Sequence, residues 1–187
     1  MSIIYGLRQM FQHRADLRSI IHSKEASAKT LLDLSPQALK TRGVDVLALD
    51  FDGVLSYQDA IMPNEKVMVW LHNACAIFQE KNIYLLTNNP LPARAAFFNK
   101  TFPAMTFVSF HYKKPHPEGL EKIIAQSGVK PDQVVLVDDR LTTGILATCI
   151  AGTQAIYITQ PFVNLKGNHV KEQFFKIIRA LERWFFT

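Results

Sequence analysis

Short apolar runs alternate with helix-length segments through the middle of the chain, and this alternation limits the fold more than any other feature. The helix-length segments have start and stop signals, such as Pro117 in a first turn and Gly128 after the end of the same segment. Strands separated by such helices predict a parallel sheet that is covered on both faces. Five runs have the composition of buried strands: 44–50, 82–87, 106–110, 133–137 and 154–158. We expect a three-layer, Rossmann-like α/β fold with a five-stranded parallel sheet and helices near 64–80, 92–100, 117–128 and 141–151.

The charge distribution divides the chain into three parts. Its 187 residues have a formal net charge of +5, and this length is typical of one domain. Residues 1–43 carry seven basic and three acidic side chains and residues 166–187 carry five and two, whereas residues 44–165 carry nine and eleven. Apolar residues recur at helical spacing at both ends. We expect a single domain over 1–187, in which a basic helical extension and a C-terminal amphipathic helix flank a core at 44–160.

Cysteine usage and hydropathy exclude several protein classes. Cys75 and Cys149 stand 74 positions apart, which fits neither a disulfide framework nor a zinc site. No run of eighteen apolar residues is present, and polar residues interrupt the first turns where a secretory signal would be apolar. We therefore expect a cytoplasmic protein. The basic ends carry no nucleic-acid recognition motif, so we expect no nucleic-acid partner.

The two terminal helices leave two interpretations open. Their apolar residues, such as Phe174, Ile178, Leu181 and Phe185, either pack against the domain or contact an anionic membrane from its surface. Interfacial helices combine aromatic and basic residues in this way, and each Lys or Arg near an anionic surface contributes roughly 1 kcal/mol. The same helices could also join subunits of an oligomer.

Polar side chains follow four of the predicted strands at the point where each strand ends. In open parallel sheets, ligands bind beyond these carboxyl ends. Each motif alone is explained by a turn, a helix cap or a solvated charge, but their combination indicates a site. The motifs are Asp50-Phe51-Asp52-Gly53-Val54-Leu55, Thr87-Asn88-Asn89, Lys113-Lys114-Pro115 and Asp138-Asp139.

In order and spacing these motifs resemble the four motifs of the haloacid dehalogenase (HAD) superfamily of aspartate-nucleophile phosphohydrolases. The stretches 34–43 and 179–183 further resemble the YqeG branch, subfamily IIIA, which is akin to phosphatidylglycerophosphatases. The resemblance implies a HAD fold. The intervals between the motifs are filled by one helix and one strand each, so we expect no large cap and an open site suited to a lipid phosphate or another large phosphomonoester.

The resemblance also implies a role for each motif residue in a Mg²⁺-dependent phosphatase. Asp50 would be the nucleophile that forms an aspartyl-phosphate, and Asp52 would be the general acid and base. Thr87 would bind the phosphoryl group and Lys114 would offset its charge. The residues implied to bind substrate are Asn88, Asn89 and Gly53, and those implied to hold the metal are Asp50, Asp52, Asp139 and Asp138.

One position departs from the family pattern. The last motif commonly begins with Gly-Asp and ends with an Asp, whereas this chain has Asp138 at the Gly and Gly144 at the final Asp. Asp138 could compensate through an alternative Asp-Asp form of the motif. The other interpretation is a catalytically weak scaffold that binds a partner or a membrane surface. His111 and His116 flank the lysines, but the sequence offers no third ligand beside them.

Overall fold

A six-stranded parallel sheet forms the centre of the protein. The computed structural model describes residues 3–164 and 169–186. The strands, in spatial order β1-β6-β5-β2-β3-β4, all pair in parallel. Their bounds are Ser27–Ala28 (β1), Val46–Leu49 (β2), Ile83–Leu85 (β3), Thr106–Phe107 (β4), Val134–Asp138 (β5) and Gln154–Ile158 (β6).

The five predicted strands are all present, and the sixth is an addition at one edge. β1 has only two residues, too few for a recognisable hydrophobic pattern, and it pairs with Tyr157 and Ile158 of β6. The sheet is therefore wider than predicted by one short edge strand. The α/β, Rossmann-like fold itself is confirmed, and each connection between consecutive strands from β2 to β6 consists of helical segments and loops, without an inserted cap domain.

Helices fill the connections between the strands near the predicted positions. The long predicted N-terminal helix is wrong in one respect: it divides at His13, which leaves the helical conformation (φ −101°, ψ 19°) and donates a ring hydrogen bond to Asp16. The segment after β5 starts as a π-helical turn, Leu141–Ile145. The α-helices are Ile3–Gln12 (α1), Arg14–His22 (α2), Pro36–Thr41 (α3), Glu65–Phe78 (α4), Pro92–Thr101 (α5), Glu118–Ser127 (α6), Leu146–Ala151 (α7) and His169–Phe186 (α8).

Alternate residues of the central strand β2 enter two separate cores. Leu47 and Leu49 pack in the core that includes residues of α3, α4 and α5, whereas Val46 and Ala48 pack in the core of α6 and α7. Side chains two apart in a strand point to the same face, so both faces of the sheet are buried. This arrangement makes the three layers of the fold and leaves the carboxyl ends of the strands to the loops.

The terminal helices are bound to the domain by one face and exposed on the other. Leu17 of α2 and Phe186 of α8 are fully buried in a third core with residues of β6 and α7. Of the predicted C-terminal helix 166–187, residues 166–168 and 187 lie outside the described residues. Large apolar side chains of α1 and α8 remain exposed on a surface that we call the terminal face: Ile4, Leu7, Phe11, Val170, Phe174, Ile177, Leu181 and Trp184.

No helix within residues 3–164 and 169–186 has both the length and the apolar character needed to cross a bilayer.

Candidate active site

Four loops at the carboxyl ends of the strands meet around one cavity of about 350 Å³. Asp50 follows β2, Thr87 follows β3, Lys114 lies beyond β4, and Asp138 is the last residue of β5. Six side chains that the sequence analysis assigned to catalysis or to the metal are less than 9% exposed: Asp50, Asp52, Thr87, Lys114, Asp138 and Asp139. The motifs therefore share one site although they are far apart in sequence.

Lys114 forms a buried ion pair with two of the aspartates. Its Nζ lies 2.9 Å from Asp50 Oδ1 and 2.5 Å from Asp138 Oδ2, and it donates to the Leu86 carbonyl at 2.8 Å. Burial alone would lower the pKa of Lys114, but the carboxylates of Asp138 and Asp50 raise it above its ordinary value. Lys114 therefore stays a cation inside the site.

Asp50 stands in an environment that disfavours its negative charge when no metal is bound. Burial raises its pKa to about 8, and the charges of Asp138, Asp139 and Asp52 act in the same direction, while Lys114 opposes them. A buried carboxylate among others needs a nearby cation to remain ionised. This requirement points to a cation beyond Lys114 at this position.

Asp50, Asp138 and Asp139 form a cluster that fits a divalent cation. Each offers one carboxylate oxygen, and these oxygens lie within 4.8 Å of one another. Burial raises the pKa of Asp139 to about 7, although Arg179 opposes the shift, with its Nε 2.6 Å from Asp139 Oδ2. Three buried carboxylates against two cations leave a negative excess, and hard oxygen ligands are those that Mg²⁺ prefers. The donor set is therefore suited to Mg²⁺.

Asp138 occupies the space that the missing acid at position 144 would need. A Cβ built on Gly144 would lie 1.9 Å from Asp138 Oδ2 and 2.6 Å from Asp138 Cβ. The backbone N–H of Arg140 donates to the other carboxylate oxygen of Asp138 at 2.9 Å. A glycine at position 144 therefore leaves the space that the Asp138 carboxylate occupies.

Gly53 is required by the same crowding. Its φ of +88° is in the left-handed region, and a Cβ at this position would lie 2.5 Å from Asp139 Oδ2. Its N–H donates to the Ser56 carbonyl at 2.7 Å. The structure therefore shows Gly53 shaping the loop around Asp139.

The amide residues after β3 are held by contacts within the site. Asn88 exchanges two hydrogen bonds with the backbone of Lys114, at 2.9 and 3.2 Å. The N–H of Asn89 donates to Thr87 Oγ1 at 3.2 Å, and its side-chain amide donates to Asp59 Oδ1 at 2.9 Å. Both asparagines line the cavity, as does Thr87, and Asn88 also fixes the loop that carries Lys114.

Asp52 is paired with an arginine that the sequence analysis missed. Arg94 Nη2 lies 2.9 Å from Asp52 Oδ1, and the N–H of Asp59 donates to the same oxygen at 3.0 Å. Arg94 is fully buried in the first turn of α5. A cation in a first turn is disfavoured by the helix dipole, so its position indicates that Arg94 needs a compensating anion without indicating which one.

Helix α8 forms one wall of the cavity, a role that sequence reasoning also missed. Lys171 and Phe175 line the cavity, and Lys171 Nζ forms an ion pair with Asp59. Glu182 accepts hydrogen bonds from Arg140 at 2.8 Å and from the N–H of Leu141 at 3.2 Å. With Arg179 on Asp139, the helix therefore contacts the loop after β5 directly.

The two histidines near the lysines take no part in this cluster. The His116 ring stacks on Tyr5 and makes a tilted contact with Tyr112, with ring centroids 5.7 and 4.8 Å away, and His111 lies beside Glu118. Among residues 3–164 and 169–186, the side chains that form a group of three or more potential metal ligands are the aspartates of this cluster.

Comparison with known proteins gives one family and several similar structures. The model of the haloacid dehalogenase-like hydrolase family matches residues 5–148. Among curated proteins, no sequence matches the chain.

Solved structures similar to this one include three that are described as haloacid dehalogenase (HAD) family or superfamily proteins. One is a subfamily IA, variant 1 hydrolase from Geobacter sulfurreducens, with 14% identity, 73% of this chain and 97% of that chain covered, and a TM-score of 0.43. A second, from Streptococcus pneumoniae, has 11% identity, coverages of 66% and 89%, and a TM-score of 0.41. A third, a magnesium complex from Bacteroides thetaiotaomicron, has 15% identity, coverages of 69% and 98%, and a TM-score of 0.39.

The family model covers well over half of the chain, and the matched residues contain every motif that lines the cavity from β2 to β5. The chain therefore belongs to the haloacid dehalogenase-like hydrolases.

Proposed function

We propose that this hydrolase is a Mg²⁺-dependent phosphatase that acts through an aspartyl-phosphate on Asp50. The observation that carries the proposal is the position of the Asp50 carboxylate, which lies in the cavity beside Lys114 and within one cluster with Asp138 and Asp139. Phosphoryl transfer needs a positioned nucleophile and cations that neutralise the phosphoryl oxygens. Both are supplied here by buried side chains.

In the first step, a carboxylate oxygen of Asp50 attacks phosphorus while the bond from phosphorus to the leaving oxygen breaks. Asp52, which enters this step in its protonated form, gives its proton to that oxygen and is left as the carboxylate that pairs with Arg94. In the second step, Asp52 takes a proton from a water molecule, whose oxygen attacks phosphorus. The bond between phosphorus and Asp50 then breaks, which releases inorganic phosphate and restores both carboxyl groups.

The remaining motif residues bind the phosphoryl group and the metal. Thr87 would donate its hydroxyl to a phosphoryl oxygen, and Lys114 would offset the charge there. Asn88, Asn89 and Gly53 would shape this pocket through the contacts described above. The ligands of Mg²⁺ would be Asp50, the carbonyl of Asp52, Asp139 and Asp138; a bound ion neutralises phosphoryl oxygens and holds them in line.

The favoured substrate is a lipid phosphate, of which phosphatidylglycerophosphate is one example, and the narrower YqeG-like assignment stays a prediction. Two observations support it. The cavity has no cap domain above it among the described residues, and α8, which lines the cavity, also carries most of the terminal face. Exposed aromatic and aliphatic side chains with arginines and lysines beside them fit an anionic lipid surface.

Turnover tests the proposed activity. We expect the chain to release phosphate from one class in a panel of lipid, sugar and nucleotide monophosphates when Mg²⁺ is present, and not after chelation. Asp50→Asn should abolish release, whereas Asp45→Asn should not, because Asp45 pairs with Lys40 outside the cavity. Full activity of Asp50→Asn would contradict the nucleophile assignment. Failure of every substrate would favour the alternative function of a catalytically weak scaffold.

Sedimentation with vesicles tests the lipid surface separately. At low salt, the chain should sediment with phosphatidylglycerol vesicles and not with phosphatidylcholine vesicles. The double substitution of Phe174→Ser and Trp184→Ser should reduce binding. Val69→Ser is the matched control, because Val69 is 72% exposed on α4, outside the terminal face. Equal binding of all variants would contradict a role of the terminal face.

A further inference from the structure

Arg94 is a fully buried arginine whose five N–H donors all have partners. Nε and Nη2 donate to the Ala60 carbonyl at 3.0 and 2.8 Å, and Nη1 donates to the Asn89 carbonyl at 3.0 Å. The two remaining donors point to Asp52, at 2.9 Å from Nη2 and 3.5 Å from Nη1. The guanidinium carbon also lies 3.6 Å from the centroid of the Phe51 ring. The side chain therefore has one fixed orientation.

The contacts of Arg94 join two separate connections beside the cavity. Asp52 and Ala60 both lie in the connection between β2 and α4, and Asn89 follows β3. Asn89 and the backbone of Asp59 add their own hydrogen bonds to the Asp52 carboxylate, at 3.4 and 3.0 Å. Both oxygens of Asp52 are thus held, and Arg94 supplies two of the four donors.

A buried cation in this place is costly. Desolvation of two charges often exceeds their mutual attraction, so a well-packed apolar pair would stabilise the fold as well or better. The helix dipole of α5 also disfavours a positive charge in its first turn. Stability alone is therefore a poor explanation of Arg94, whereas orientation of a reacting carboxyl group is a good one.

We propose that Arg94 is a positioning residue for the reaction proposed above: it holds the Asp52 carboxyl group at the cavity, within reach of the leaving oxygen and of the attacking water. Proton transfer needs this group within hydrogen-bond distance of the substrate, and a misplacement of about 1 Å can cost on the order of 100-fold in rate. Arg94 acts through Asp52 and does not itself touch the substrate. The proposal rests on the phosphatase function.

A double-mutant cycle with two ester classes tests this role. For Arg94→Met, we expect kcat/KM on an alkyl phosphate to fall about 100-fold. The fall on p-nitrophenyl phosphate should be smaller, because that phenolate leaves without a proton. Arg94→Lys should retain part of the activity. In the Asp52→Asn background, Arg94→Met should lower kcat/KM no further, because the group that Arg94 positions is already gone.

Circular dichroism checks that each variant is folded. Ile123→Ala is the control for a general loss of stability: it removes buried volume in α6 away from the site and should affect the hydrolysis of both ester classes equally. The double variant of Asp52→Asn and Arg94→Met contains neither charge of the buried ion pair. If Arg94→Met alone does not fold, the same cycle is run with Arg94→Lys. Equal losses on the two ester classes for the Arg94 variant, or effects that multiply in the double variant, would overturn the positioning role. An unmodified chain that hydrolyses neither ester would contradict the phosphatase function instead.

Discussion

Gly144→Asp would install the acid that the family pattern places at the end of its last motif, yet we predict that it destabilises the protein. The new Cβ would lie 1.9 Å from Asp138 Oδ2 and 2.1 Å from Asp138 Cγ, whereas non-bonded carbon atoms prefer about 3.5–4.0 Å. Asp138 cannot turn away without leaving Lys114 and the N–H of Arg140. The substitution therefore forces a choice between two side chains for one space.

The size of the effect follows from the contacts that are lost. Overpacking of a core typically costs about 1–3 kcal/mol, which is the expected loss for Gly144→Ala. For Gly144→Asp the displaced Asp138 also leaves Lys114, and breaking a buried ion pair costs about 3–5 kcal/mol. Gly6→Ala is the matched control, because Gly6 lies within α1 and a Cβ there would meet its nearest atom, Pro115 Cγ, at 4.0 Å. It should be neutral or slightly stabilising.

The compensating change distinguishes crowding from an effect of charge. Asp138→Gly combined with Gly144→Asp recreates the common family arrangement and removes the clash, so the double variant should be more stable than Gly144→Asp alone. Urea denaturation gives the free energies of unfolding, and Mg²⁺ titration monitored by the melting temperature gives the metal affinity. If Gly144→Asp alone were as stable as the unmodified chain and bound Mg²⁺ more tightly, the crowding argument would be refuted.

Three further predictions concern the metal, the thiols and helix α8. Mg²⁺ at about 100 times its dissociation constant should stabilise the fold by about 2.7 kcal/mol, and Asp139→Asn should reduce this gain in thermal melting. Burial raises the pKa of Cys75 and Cys149 to about 11 from 9.0; below pH 9 the folded protein then has on the order of 100-fold less thiolate, so alkylation at pH 8 should be much slower than in urea. Arg179→Met should lower the free energy of unfolding by about 3–5 kcal/mol in chelator, because Asp139 remains buried without its partner.

The layers of the fold were predictable because burial leaves a pattern in the sequence. All four residues of β2 are buried, and such a strand reads as a continuous apolar run. β1 escaped prediction because two half-buried residues carry no period. The break at His13 also escaped, because it depends on a local hydrogen bond to Asp16 while the apolar spacing continues through it.

The positions of the site residues that follow strands could be predicted from the sequence, whereas those of the site residues on helices could not. Asp50 and Lys114 follow strands, and the carboxyl ends of parallel strands meet at one edge. Arg94 and Arg179 come from helices and meet acids 42 and 40 positions away. Apolar periodicity reports which face of a helix is buried and does not report which loop that face touches.

The ion pairs of the site explain why the terminal helix matters to it. Asp50 pairs with Lys114, Asp52 with Arg94 and Asp139 with Arg179, so each acid carries a cation from a different part of the chain. Because burial disfavours isolated carboxylates, these three acids depend on all three cations at once. The segment 44–160, taken as the catalytic core from sequence, contains the first two pairs and lacks the third. The helix that supplies Arg179 is therefore part of the site as much as of the surface.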